Sequence, residues 1–276
     1  RQAGSCRMRV VGDGQAGSCR VRVTDRVLFG AAAFVTVLLA VYIGLSKLPP
    51  RFDQRAVWSV AGNLMYGIQD DFMPGGYAEI YPYNQGIILF YYLIMRVAGY
   101  ENYIVAQYIN LLCMVLTWLG LHKVMERIMP HYRAVSLGLI FFMPYWGYAT
   151  FMYGNIPGFC FGIWALYLAL GYLDEYRLYE VIASGVLMTV AFRFKEHFAI
   201  LAIAIAILAV CEVVRSRNYR GLLLVASMVL FFAISGLSVN RFFGSLADYT
   251  PSKGIPSLPY VAMGLHEHEE RGAGWH

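Results

Sequence analysis

The residues best suited to chemistry lie between Arg51 and Gln85. They read Arg-Phe-Asp-Gln-Arg at 51–55, Asp-Asp at 70–71 and Gly-Gly-Tyr-Ala-Glu-Ile-Tyr-Pro-Tyr-Asn-Gln at 75–85. Asp53 is a candidate general base: a carboxylate held at a membrane face can take the proton of an acceptor hydroxyl as it attacks an activated sugar. Asp also accepts from the free N–H groups at a helix start, and the two roles are compatible. Asp70 and Asp71 are adjacent, so they point apart on a regular element and read as a solvated turn before Pro74. Tyr77, Tyr81, Tyr83 and Tyr100 suit the lipid–water boundary. Their rings can also stack on pyranose faces while the hydroxyls form hydrogen bonds.

A second set of charges sits at Arg193 and Lys195, between two apolar runs. Cations in that position mark either a loop or a protein-lined cavity. A lipid phosphate, or a pyrophosphate leaving group, needs such partners. Glu196 reads as a local charge partner and His197 as structural. His266 and His268, in Leu-His-Glu-His-Glu-Glu at 265–270, alternate in sequence and share a face only in a strand. A solvated loop is the plainer reading, and no metal site is expected. Cys113, Cys160 and Cys211 fall inside apolar runs and read as small buried hydrophobes. No GxGxxG, P-loop, HExxH or CxxC pattern occurs, so nucleotide binding and zinc hydrolysis lack support.

The elements that must position these groups are membrane helices. The chain is 59% hydrophobic and 14% charged, against roughly 25% charged in a soluble domain. Its net charge of +5 comes from short basic clusters between apolar runs, the pattern of cytoplasmic loops rather than of nucleic-acid binding. Residues 1–26 hold six arginines and a tandem repeat, Gln-Ala-Gly-Ser-Cys-Arg-Met-Arg-Val at 2–10 returning as Gln-Ala-Gly-Ser-Cys-Arg-Val-Arg-Val at 15–23. This reads as a disordered basic tail on the cytoplasmic side. Val27 to Ser46 is an uncharged run of a length that crosses the hydrocarbon at ~1.5 Å per residue, and Pro49-Pro50 ends it. Residues 53–68 have apolar positions at helical spacing and predict an amphipathic juxtamembrane helix.

Further apolar runs cover 86–98, 104–122, 135–151, 156–173, 179–194, 198–214 and 221–239, with Pro144 expected to kink its helix. If every run spanned, the basic loops at Lys123–Arg133 and Arg215–Arg220 would fall outside, against the positive-inside rule. The run 86–98 is too short for a span of ~17–25 residues. The expected fold is therefore all-α, a polytopic transmembrane bundle with about seven spans plus one re-entrant or interfacial helix. The loops at 51–85, 153–158 and 193–197 and the tail beyond 239 then converge outside.

The chain resembles the N-terminal half of membrane glycosyltransferases of the C-type fold, including protein-O-mannosyltransferase and aminoarabinose-transferase relatives of multispanning bacterial type. The resemblance covers residues 27–276. It rests on Phe-Asp-Gln-Arg-Ala-Val-Trp at 52–58, the 75–86 segment, Tyr-Gly-Asn-Ile-Pro-Gly at 153–158 and Pro-Ser-Leu-Pro-Tyr-Val-Ala-Met-Gly-Leu at 256–265. It implies transfer of a sugar from a polyprenyl-phosphate donor to a glycan, lipid or protein acceptor on the outer face of the plasma membrane. Asp53 is the implied base and Arg193 and Lys195 the donor-phosphate contacts, with Tyr77, Tyr81, Gln85 and Asn155 around sugar or acceptor. No cofactor is expected, and the need for a divalent metal is left open. Asn155 departs from the pattern, since relatives often carry a second acid there. Relatives also continue well beyond the Met-Gly-Leu loop, so the chain reads as truncated. A non-catalytic protein that binds a lipid-linked precursor or a partner is the rival expectation. A transporter or flippase would call for inverted repeats and mid-membrane charges, which the sequence lacks.

Overall fold

The computed structural model describes residues 25–247. The basic tail up to residue 24, the tandem repeat, the 256–265 motif and the pair His266 and His268 lie outside the described residues, while Asp25 and Arg26, expected in the tail, already belong to the first helix. Among those described, all regular structure is helical: α1 (Asp25–Ser46), α2 (Asp53–Met65), α3 (Tyr77–Ile80), α4 (Gln85–Ala98), α5 (Tyr103–Ile128), α6 (Tyr132–Ile140), α7 (Met143–Trp146), α8 (Asn155–Glu175), α9 (Leu178–Phe194), α10 (Ala199–Ser216) and α11 (Leu222–Ala247), with short 3-10 turns between.

Among the described residues, five segments are long and apolar enough to cross a membrane: Asp25–Ser46, Tyr103–Ile128, Asn155–Glu175, Glu196–Ser216 and Tyr219–Ala247. The chain is thus a helical membrane protein. At 17 residues, α9 is at the short edge of the spanning range. The run 135–151 is not one helix. It breaks after Ile140, restarts as α7 with Pro144 in its first turn, and finishes as a 3-10 turn over Gly147–Thr150. Proline is tolerated in a first turn but not in a helix interior, so the break falls just ahead of it.

Side-chain hydrogen bonds fix how the helices run. Tyr103 Oη donates to the Lys47 carbonyl at 2.6 Å and Gln107 Nε2 to the Leu48 carbonyl at 2.7 Å. At the opposite end the Asp25 carboxylate meets the Arg133 guanidinium at 2.7 Å. So α1 and α5 lie antiparallel, with residue 25 and residue 133 at one end. The broken segment then climbs α5 in reverse. Trp118 Nε1 bonds to the Ser136 carbonyl, Tyr145 Oη to the Met114 carbonyl, and Asn110 Nδ2 to the Tyr148 carbonyl. Next, α8 and α9 form an antiparallel hairpin: Ser184 Oγ donates to the Ala165 carbonyl near its middle, and Phe161 stacks on Phe194. Finally, Ser227 Oγ reaches the Val181 carbonyl and Arg193 reaches Ser235, so α11 runs parallel to α9.

The juxtamembrane helix ends at Met65 rather than at residue 68, turning back at Gly67 with φ 75°. Its apolar face packs on protein, with Val57, Val60, Ala61 and Leu64 buried against Ile87, Ile88, Tyr91 and Met95 of α4. Burying each of the valines, isoleucines and leucine away from water contributes about 1.5–3 kcal/mol. This pair caps one end of the bundle. It takes in the end of α11 as well, where Phe72 stacks on Phe243 and Gln69 Nε2 donates to the Leu246 carbonyl. Two of the three cysteines behave as expected: Cys113 and Cys160 are buried. Cys211 does not, because its position on α10 faces outward.

Candidate functional site

The end capped by α2 and α4 gathers segments far apart in sequence. Asp53 is the first residue of α2 and is exposed. The N-cap position belongs to Phe52, so Asp53 does not fill the capping role that its residue type allows. Phe52 has φ 50° and ψ −131° and is 84% exposed. That conformation is rare for a side chain with a Cβ, and such strain collects at functional positions.

The next residue ties α2 to the loop that precedes α8. Gln54 is buried, and its Oε1 accepts from the Met152 N–H at 2.9 Å. Tyr91, buried on α4, donates its hydroxyl to the Met152 carbonyl at 2.5 Å. Both polar groups of one loop residue are thereby held by two helices. A lost partner here would leave a buried amide or carbonyl unsatisfied, at a cost of about 1–3 kcal/mol.

That grip presents Tyr153. The Lys195 ammonium lies 3.4 Å from the centre of the Tyr153 ring, a cation–π contact. The Tyr77 and Tyr153 phenols are close enough that each shifts the other's proton affinity. Asn84 Nδ2 donates to Tyr77 Oη at 2.9 Å. Tyr81 tilts against Tyr77 with ring centres 4.9 Å apart. Asn84 and Gln85 are both buried, and Asn84 Oδ1 and Gln85 Nε2 have no hydrogen-bond partner among the described residues.

Charge unites the group. Burial pulls the Lys195 ammonium down to about 8, and the Asp53 carboxylate pulls it back up. Burial pushes the Tyr153 phenol up, and Asp53 adds to that rise. Tyr77 is pushed far up, first by burial and then by Tyr153. Asp53, Tyr77, Tyr153 and Lys195 therefore share one electrostatic neighbourhood, although no direct ion pair joins Asp53 to Lys195. Close backbone contacts seat Lys195. A Cβ on Gly86 would overlap the Arg193 carbonyl, and one on Gly154 (φ +79°) would stand 2.9 Å from the Phe194 carbonyl oxygen. Only glycine at both places lets α4 and the start of α8 close on the end of α9.

Arg193 and Asn155 stand apart from that neighbourhood. The Arg193 guanidinium turns to α11, with Nε 2.8 Å from Ser235 Oγ and Nη2 3.3 Å from the Phe232 carbonyl. Asn155, the first residue of α8, lines an apolar cleft of about 420 Å³ with Phe142, Tyr145, Phe159, His197 and Phe198. The paired acids also separate: Asp71 accepts from Asn63 Nδ2 at 2.8 Å while Asp70 is exposed.

Sequence reasoning missed Gln54, Tyr91, Asn84 and Tyr153 as members of this site. The roles of Gln54, Tyr91 and Tyr153 arise from contacts across long stretches of chain, and that of Asn84 from the phenol seven residues before it, none of which residue type alone encodes. Residues 87–238 match the family described as dolichyl-phosphate-mannose-protein mannosyltransferase. The match takes in Asn155, Arg193 and Lys195 and begins after Asp53 and Gln85. No curated protein and no solved structure matches the chain. The matched stretch is more than half of the sequence, and the chain belongs to this family of C-type membrane glycosyltransferases.

Proposed function

We propose that the chain moves a sugar from a polyprenyl-phosphate donor to a hydroxyl of a glycan, lipid or protein acceptor. The reaction takes place on the extracytoplasmic face of the plasma membrane, with the N-terminus in the cytoplasm. In this reading seven segments cross the bilayer: α1, α5, the broken stretch 132–150, α8, α9, α10 and α11. The helices α2 and α4 lie across their outer ends, since fourteen residues of α4 reach only about 21 Å at ~1.5 Å each. The basic ends at Lys123–Arg133 and Arg215–Arg220 then face inward.

The observation that carries the reading is that Asp53 and Lys195, from opposite halves of the chain, act on one cluster of phenols. Asp53 takes the proton of the acceptor hydroxyl. The freed oxygen bonds to the anomeric carbon, and the bond from that carbon to the phosphate oxygen breaks, leaving its electron pair on the phosphate. Lys195 faces the charge that develops there. Arg193 adds positive charge to the same end of α9 while holding it to α11. Tyr77, Tyr81, Gln85 and Asn155 surround sugar or acceptor, and the apolar cleft beside Asn155 receives the prenyl chain.

The test is turnover of a radiolabelled polyprenyl-phosphate sugar by the chain in nanodiscs. Time-dependent movement of label from lipid to an acceptor fraction supports transfer. Saturable donor binding with no release of label, in a stably inserted chain, contradicts it and favours a binding protein.

A further inference from the structure

A second cleft, of about 630 Å³, opens on the other side of α2. Asp53 does not line it. Its lining is Arg55, Trp58 and Ser59 on one face of α2, Arg51 and Phe52 just before it, Pro49-Pro50 beyond, and the 100–103 turn opposite. Positions 55, 58 and 59 share a helix face by their three- and four-residue spacing, while position 53 turns about 200° away at ~100° per residue. The cleft and the Asp53–Lys195 cluster are thus two sites back to back on the first turns of one helix.

Arg51 and Arg55 are both exposed and pair with no carboxylate among the described residues. In the orientation proposed above they face outside, where the positive-inside rule gives them no topogenic role. The N-terminus of α2 adds its own positive end to theirs. The remaining lining suits a ring with hydroxyls better than a bare anion. Tyr100 and Tyr103, both half-buried, offer aromatic faces over the buried Trp58, and Ser59 and Glu101 can bond sugar hydroxyls.

The walls are fixed in advance. Tyr103 is tied to the Lys47 carbonyl. Tyr100 lies so close over Gly62 that a Cβ there would overlap its ring, and it tilts against Trp58 with centres 6.4 Å apart. Pro49-Pro50 stiffens the third side. A rigid pocket loses little freedom on binding.

We propose that this cleft is a separate binding site for an anionic saccharide, a sugar ring carrying a phosphate or a carboxylate. Arg51 and Arg55 take the anionic group, the Tyr100–Tyr103 wall takes the ring, and Glu101 takes a ring hydroxyl. The site needs no transfer chemistry, so it stands or falls apart from the reaction proposed for Asp53.

The test is equilibrium binding of radiolabelled glucose 6-phosphate to the full chain in phosphatidylcholine nanodiscs. Saturable binding is expected, weaker by about tenfold or more for unphosphorylated glucose and for the R51Q/R55Q double variant. Both arginines are exposed, so that variant should insert and melt as the parent does. Asp53→Asn should bind like the parent. Equal binding of glucose, or undiminished binding to R51Q/R55Q, overturns the proposal. So does loss of binding when about a fifth of the lipid is phosphatidylglycerol, which would assign the arginines to lipid headgroups. If Asp53→Asn stops transfer but no sugar phosphate binds, the cleft assignment fails and the reaction stands. The reverse result separates them the other way.

Discussion

The ammonium of Lys195 sits 3.4 Å above the ring of Tyr153. Lys195 comes from the turn after α9 and Tyr153 from the loop before α8, so this one contact joins two connections at the same end of the bundle. The ring lets a cation remain in a half-buried place without a direct carboxylate partner, a contact worth about 0.5–2 kcal/mol. A cation kept unpaired by a fixed carboxylate is available to an incoming phosphate.

The lowered pKa of Lys195 makes donor use pH-dependent. Burial favours the neutral amine, so the cation is present below about 8 and is lost as pH rises through that value. The KM for the polyprenyl-phosphate donor should be flat below that point and rise by about tenfold per pH unit above it. Lys195→Arg should remove the rise, because arginine stays charged. Lys195→Met should raise KM below about pH 8 and remove the pH dependence above it. Initial rates from pH 6 to 9.5 check this, and an unchanged profile in Lys195→Arg contradicts it.

Gln54 should matter through Met152 rather than through substrate. Gln54→Leu removes the acceptor for the buried Met152 N–H and should lower stability by about 1–3 kcal/mol. Tyr91→Phe frees the carbonyl of the same residue and should cost a similar amount. Each variant should also lower kcat by letting Tyr153 drift from Lys195. Thermal melts in nanodiscs paired with kcat measurements check both parts.

Gly86 tests whether α4 must touch the end of α9. A methyl group there meets backbone, which cannot rotate away as a side chain can. Gly86→Ala should destabilise by about 1–3 kcal/mol and raise donor KM through displacement of Lys195. Gly138→Ala is the control, since a Cβ there meets nothing within 4 Å, and its melting temperature should hold or rise slightly.

Phe52 should be replaceable by glycine with a gain in stability. Its φ of 50° and ψ of −131° are strained for phenylalanine, and its ring is too exposed to contribute packing. Phe52→Gly should stabilise by about 1 kcal/mol, the lower end of such strain. A melt that falls instead would contradict the reading of Phe52 as strained.

The bundle was legible because a membrane demands long uncharged helices, and α1, α5, α8, α10 and α11 announce themselves by composition. The short length of 86–98 and the two basic loops single out α4 as the run not expected to span, and α4 is indeed short, fourteen residues packed on α2. The broken stretch from Tyr132 to Thr150 was less legible. Its apolar run is continuous, and only Pro144 hints at the break. Within the site, Asp53, Tyr77 and Lys195 were recognisable by residue type in polar loops. Gln54, Tyr91 and Asn84 were not, because amides and tyrosines acquire meaning here only from the backbone or phenol opposite them. Arg193 shows the converse: its charge was legible, but its tie to α11, two of five guanidinium N–H donors given to Ser235 and the Phe232 carbonyl, was not.

The central claim is that Asp53 takes the acceptor proton in the transfer step. Its most direct test is the single-turnover rate of sugar transfer with the donor saturating, comparing the parent chain with Asp53→Asn. The account predicts unchanged donor affinity and a rate lower by at least about a hundredfold, the usual loss of a general base. A rate for Asp53→Asn equal to that of the parent would contradict it.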